Sequence, residues 1–303
     1  MKNAKVLKPL LLSAAAIMLV VATMFATMAY LTASSAVSNV FTVGNVSMQM
    51  FESKVNSKGL PINAAGQVIE NYNPNAAMKT ADTNSYHLQP GMTYTKDPTV
   101  YVDPKSDEAY LFVRLRNDLK TVEAGNIATG TPADESAGEP AGETGTEPTK
   151  KLTIVEQMRK NGWLEIERAE SNVDAVFVYV GQDVTDLFAT ISDDVGEGKT
   201  YATYKDRADA ILAKAKDLGI KAQPVGNTEK TITYPIVGTY QAIDVFGEFS
   251  IGVGADLSKF GGARIAIVAY AIQTNGVSTH AKYTMDACED AWAWVKAELP
   301  FVT

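Results

Sequence analysis

Cysteine is almost absent. Cys288 is the single one among 303 residues, so no disulfide can form within the chain and the fold must stand on packing alone. Histidine is nearly as scarce: His87 and His280 are the two present, and neither sits in an HExxH motif that would put two imidazoles on one helix face. GxSxG is missing too, and with it the usual setting of a serine nucleophile. Basic residues are outnumbered 27 to 35, for a formal charge of −8. Phosphate backbones need clustered Lys and Arg, so nucleic acid is not an expected partner. Charge of either sign is missing from Pro9 to Phe51, and that gap is the most informative absence in the chain.

What is present is ordinary globular material, 46% hydrophobic and 20% charged, enough to bury a sizeable core. Lys2, Lys5 and Lys8 precede an apolar run from Leu10 to Leu31, the layout of a secretory signal over residues 1–29. Thr27 and Ala29 are small enough for cleavage after Ala29, which would expose Tyr30 as a new N-terminus. The run is also long enough to span a bilayer uncleaved. Either outcome places the bulk of the chain outside the cytoplasm, secreted or at the cell surface.

Residues 30–51 are neutral and free of proline. Leu31, Ala33, Val37, Phe41 and Val43 alternate onto one face if the segment is extended. Neutral strands of this kind add readily to an open sheet edge. Residues 30–40 are therefore a candidate donor strand for a second molecule, or the first strand of the domain's own sheet.

From residue 41 to 303 the chain reads as one domain. Strands are expected at Phe41–Phe51, Thr99–Val102, Ala109–Arg116, Trp163–Glu167, Ala175–Val180, Thr231–Tyr234, Phe249–Val253 and Ala263–Gln273. Pro90-Gly91 marks a turn. Helices are expected at Thr153–Lys160, with Thr153 and Glu156 at capping-box spacing and Gly162 as a stop, at Tyr204–Leu218, and at Met285–Leu299. Residues 53–84 read as an irregular excursion. Residues 121–150, rich in Gly, Pro, Thr and Glu and without an aromatic, read as a solvated acidic insert. Short strands with a few helices favour an all-β antiparallel sandwich carrying peripheral helices over a βαβ fold.

Chemistry-bearing constellations are few. Asp193, Asp194 and Glu197 form an acidic loop without EF-hand spacing. Thr42 to Asn45 holds one glycine and is no phosphate cradle. No catalytic residue, metal or cofactor is expected, and the chain does not read as an enzyme.

The stretch from Ala29 to Glu52 resembles the start of TasA/camelysin-type proteins, in which a SipW-type signal peptidase cuts just before a segment ending in N-x-F-x-x-G-x-V/L. Here that motif falls on Asn39, Phe41, Gly44 and Val46. Leu88–Val102 and Ile265–Val277 are similar to strand segments of the same family, and the late AWAWVK helix fits it. The resemblance implies a jelly-roll sandwich, secretion, and polymerisation into biofilm matrix fibres by donor-strand exchange, with a copy of the same chain as partner, assisted by accessory matrix proteins or exopolysaccharide. About four buried apolar side chains would contribute roughly 6–12 kcal/mol gross to each joint. An accessory or anchoring protein of such fibres is the alternative, followed by a camelysin-like secreted peptidase.

Overall fold

The structure, a computed structural model, describes residues 32–43, 45–125, 151–195, 199–227 and 235–298; for 32–43, 192–194 and 297–298 the description is of the backbone. The strands among them are β1 (Thr32–Val43), β2 (Met48–Phe51), β3 (Thr83–His87), β4 (Thr93–Thr95), β5 (Thr99–Val102), β6 (Ala109–Asn117), β7 (Trp163–Arg168), β8 (Asp174–Tyr179), β9 (Ile236–Val237), β10 (Tyr240–Asp244), β11 (Glu248–Ser250) and β12 (Arg264–Gln273). Four α-helices join them: α1 (Ile154–Lys160), α2 (Thr185–Val195), α3 (Tyr204–Asp217) and α4 (Met285–Glu298).

A strand buried on both faces has no polar side, and β6 shows this along its first five residues. Ala109, Leu111, Val113 and Leu115 enter one core, while Tyr110 and Phe112 enter another. β12 divides in the same way, with Ile265, Ile267, Ala269 and Ala271 on one side and Tyr270 and Ile272 on the other. Both strands lie in a six-stranded sheet of order β3-β1-β12-β6-β8-β7. Its first face meets Met48, Met50, Val100, Val102 and Ile243 of a four-stranded sheet, β2-β5-β10-β9. Its second face is covered by Phe188 and Ile191 of α2, Ile211 and Leu212 of α3, and Cys288, Trp292 and Val295 of α4. β4 and β11 form a separate pair. The protein is thus mostly β, in antiparallel sheets with few helices, β1 and β12 being a parallel pair.

Local signals explain the helix ends. Thr153 and Glu156 form the reciprocal capping box of α1, and Thr203 and Asp206 do the same for α3. Two helix-start donors are satisfied at each. Gly162 turns the chain out of α1 at φ 86°.

Several expectations are corrected. Phe41–Phe51 is two strands in different sheets, β1 ending at Val43 and β2 beginning at Met48. Asp193 and Asp194 lie within helix α2 and not in an acidic loop. The strand expected over Phe249–Val253 ends at Ser250, with Ile251 bridging to Glu123. Val122 and Glu123, at the front of the expected insert, are buried and belong to the body. The strand expected at Thr231–Tyr234 lies outside the described residues.

Candidate functional site

β1 is held by neighbours that are remote in sequence. On one side it pairs in parallel with β12, from Ser34↔Arg264 to Val43↔Ile272. On the other it pairs antiparallel with β3, from Thr32↔His87 to Ala36↔Thr83. β3 and β12 therefore stand two strand spacings apart, about 9–10 Å, a slot of one strand's width.

Both walls of the slot have supports of their own. β12 is bonded along its length to β6, from Ile265↔Asn117 to Gln273↔Ala109. β3 is pinned by Asn84, whose Nδ2 donates to Glu52 Oε1 at 2.8 Å and to the Ser53 carbonyl at 2.7 Å, while its Oδ1 accepts from the Val55 amide. Tyr86 packs edge-on to Tyr94 and Phe249 and donates its hydroxyl to the Thr95 carbonyl.

Asn84 leads into a buried charge network. Lys96 Nζ donates to Glu52 Oε2 at 2.7 Å, and both side chains are 0% exposed. Burial pushes the Lys96 pKa down, against the pull of Glu52. Beside them Asp97 accepts from the Ser53 amide and hydroxyl at 2.8 and 2.6 Å. Lys79 Nζ reaches the Asp97 carbonyl and Thr99 Oγ1, with Asp97 Oδ2 at 3.2 Å. Burial raises Tyr72, next to Ser53 and Asp97, to about 12. A cleft of about 280 Å³ opens here, lined in part by Lys79, Lys160, Asn161 and Asp244. This network ties the excursion of residues 53–84 to the sheets.

The register of β1 is not continuous through the candidate donor-strand residues. Ala33 pairs with Tyr86 and Val37 with Ile267, and both partners are in the core between the sheets. The register then shifts between Val37 and Val40. Beyond the shift Phe41 pairs with Tyr270 and Val43 with Ile272, residues of the helix-covered face. Asn39 of the family motif falls inside that irregularity. Val46 is buried in the core. Ala29, Tyr30, Leu31 and Gly44 lie outside the described residues.

The sparse titratable candidates stay apart. His87 is in β3; His280 Nδ1 lies 2.9 Å from Asp290 Oδ2, in the turn before α4. Cys288 is buried in α4, and burial pushes its thiol pKa up, so it is an unreactive packing residue. Glu197 lies outside the described residues. Among those described, no group of three His, Cys, Asp or Glu could hold a metal, and no helix is long and apolar enough to cross a membrane. Sequence reasoning missed the Glu52–Lys96 and Asp97–Lys79 pairs. The one hint was a charged pair, Lys96-Asp97, between the strand residues Thr95 and Thr99.

No family model, curated protein or solved structure matches the chain.

Proposed function

We propose that the protein is a secreted, non-enzymatic structural subunit, of TasA/camelysin type and jelly-roll topology, that polymerises into extracellular fibres by exchange of β1. One observation carries this reading: β1 occupies a slot whose two walls are braced by contacts that do not involve β1. No hairpin secures the strand to either wall. Its neighbours β3 and β12 lie far along the chain, and residues 44–47 are its link to β2. The same backbone pairs can therefore form within one chain or between two, and the balance depends on concentration and on the link. Short hinges favour exchange over self-closure. A head-to-tail joint does not close on itself, so it propagates as a filament. The neutral, proline-free segment after Ala29 and the family motif at Asn39, Phe41, Gly44 and Val46 support the same reading.

A second reading has its own support. Within the single chain β1 already fills the slot, which suits an accessory or anchoring protein that remains monomeric. Negative-stain electron microscopy of the chain beginning at Tyr30, beside the chain with the N-terminal segment intact and one lacking residues 30–40, separates the two. Fibres from the Tyr30 form alone support strand exchange. Fibres from the deleted form overturn it, and monomers throughout favour the accessory role.

A further inference from the structure

β1 begins at Thr32, and its neighbours define which end of the molecule that is. Thr32 pairs with His87, the last residue of β3, and Ser34 with Arg264, the first of β12. Ile265 in turn pairs with Asn117, the last residue of β6. The turn after β3 and the loop before β12 therefore lie at the end where β1 starts. Residues 103–107, ahead of Ala109, lie at the other end, since Ala109 pairs with Gln273 at the close of β12.

Those two segments meet in an apolar tip. The Gly91 amide donates to the Ile251 carbonyl at 3.0 Å, and the Ile251 amide to the Met92 carbonyl at 2.9 Å. Val253 stands directly beside this turn, its Cγ2 3.6 Å from where a Cβ on Gly91 would lie. It is 85% exposed, the highest value among the described large hydrophobic residues, and Met92 is 41% exposed. Pro90 and Gly91 are exposed as well. A valine held out in water by a hydrogen-bonded turn gains nothing from the fold's own packing. Cations stand around it. Lys58 follows Ser57, whose carbonyl accepts from the His87 amide; Lys259 and Arg264 belong to the loop before β12 and to its first residue. All three are exposed, with no ion pair among the described residues. Asp118, which accepts from the Arg264 amide, is paired with Arg116, and Asp256 accepts from the Ser258 amide.

The chain ahead of β1 says what this tip meets. The uncharged run Leu10–Leu31 ends at the residue before Thr32. It is barely longer than the about 20 residues that span a hydrocarbon core. Each residue reaches at most about 3.5 Å, so a run seated in a bilayer brings the start of β1, and the end of the molecule around it, against the headgroups. We propose that Met92 and Val253 then dip into the boundary between headgroups and acyl chains, with Lys58, Lys259 and Arg264 towards the lipid phosphates. Interfacial seating of this kind reaches about 5–10 Å deep, and basic side chains there are drawn to anionic lipid. Two apolar side chains are too small to hold a free domain on a membrane; the tether supplies the effective concentration. Cleavage after Ala29 thus frees β1 and unseats the domain in one step. The inference rests on the reading of residues 10–31 as a bilayer-seated segment, and it is independent of polymerisation.

Fluorescence of the full chain, reconstituted into phosphatidylcholine–phosphatidylglycerol vesicles that carry a spin-labelled lipid, tests this. An environment-sensitive dye is attached at Val253→Cys, or at Lys105→Cys on the exposed loop of the opposite end. Cys288 is buried, with its thiol pKa pushed up, and does not compete for the label. The full chain should float with the vesicles. The dye at residue 253 should shift to the blue and be quenched by the spin label, while the dye at residue 105 does neither. Adding Met92→Asp should reverse the shift at residue 253, and the chain beginning at Tyr30 should neither float nor show it. A full chain that floats while the dye at 253 stays as in water overturns the inference and leaves the bilayer reading standing. Quenching at 253 without a blue shift does the same, since it places the tip near the membrane but outside it. A full chain that does not float overturns both.

Discussion

Glu52, just past the end of β2, and Asn84, in the outer strand β3, are joined by a 2.8 Å hydrogen bond, and the other oxygen of Glu52 holds Lys96 in an interior with no solvent contact. The brace that positions one wall of the β1 slot is thus built on a buried ion pair. Breaking such a pair from one side leaves an uncompensated charge. Lys96→Met should lower stability by roughly 3–5 kcal/mol, read as a fall in the urea midpoint. Lys96→Met combined with Glu52→Gln removes the stranded charge and keeps an acceptor for Asn84, so the double variant should be more stable than the single one.

Ser34 of β1 and Ser85 of β3 are directly paired, which suits a disulfide between cysteines placed there. Buried Cys288, with its raised thiol pKa, will not compete at neutral pH. In monomer, oxidised Ser34→Cys/Ser85→Cys protein should carry its bond within one chain. In fibres the bond should link neighbouring chains, giving a ladder on a non-reducing gel. Fibres that dissolve into single, internally bonded chains would rule out strand exchange.

Glu123 is buried where it accepts from Asn117 Nδ2 and from the Ile154 amide at the start of α1. Burial raises its carboxyl from 4.5 to about 7. The folded state therefore keeps a proton that the unfolded chain releases. Its contribution is complete below about pH 4.5 and is lost as pH rises through about 7, a change of roughly 3 kcal/mol. Glu123→Gln cannot titrate, so its stability should vary less over that window. Urea denaturation of both proteins at several pH values across it will measure the difference.

Gly162 has φ 86°, and a Cβ there would lie 2.4 Å from the carbonyl carbon of Gly181. Gly162→Ala should therefore destabilise by more than the roughly 1–3 kcal/mol of the backbone conformation alone, seen as a lower melting temperature. Gly219→Ala is the control. It has φ 66° but open space around it, so it should suffer from conformation without the clash.

Elements with local signals were legible in the sequence. The capping box at Thr153 and Glu156, the stripe Ala208, Ile211, Leu212 and Ala215, and the apolar runs of β5, β6 and β12 depend on residues a few positions apart, and each element lies close to where the sequence placed it. Helix α2 was not seen. Its buried Phe188, Ile191 and Val195 have helical spacing, but Thr, Ser and paired Asp around them favour turns over helix interiors.

Sequence alone determined that the N-terminal segment is neutral and has no disulfide to tether it, because charge and cysteine count are properties of the chain itself. The tertiary structure decided its register, since the shift between Val37 and Val40 exists only against β12. It also decided that Lys96 meets Glu52 and that Arg159 and Arg168 both approach Glu165. Register and buried charge pairing are agreements between segments tens to hundreds of residues apart. No local pattern encodes them, because the energy that selects them appears only when those segments are brought together out of water.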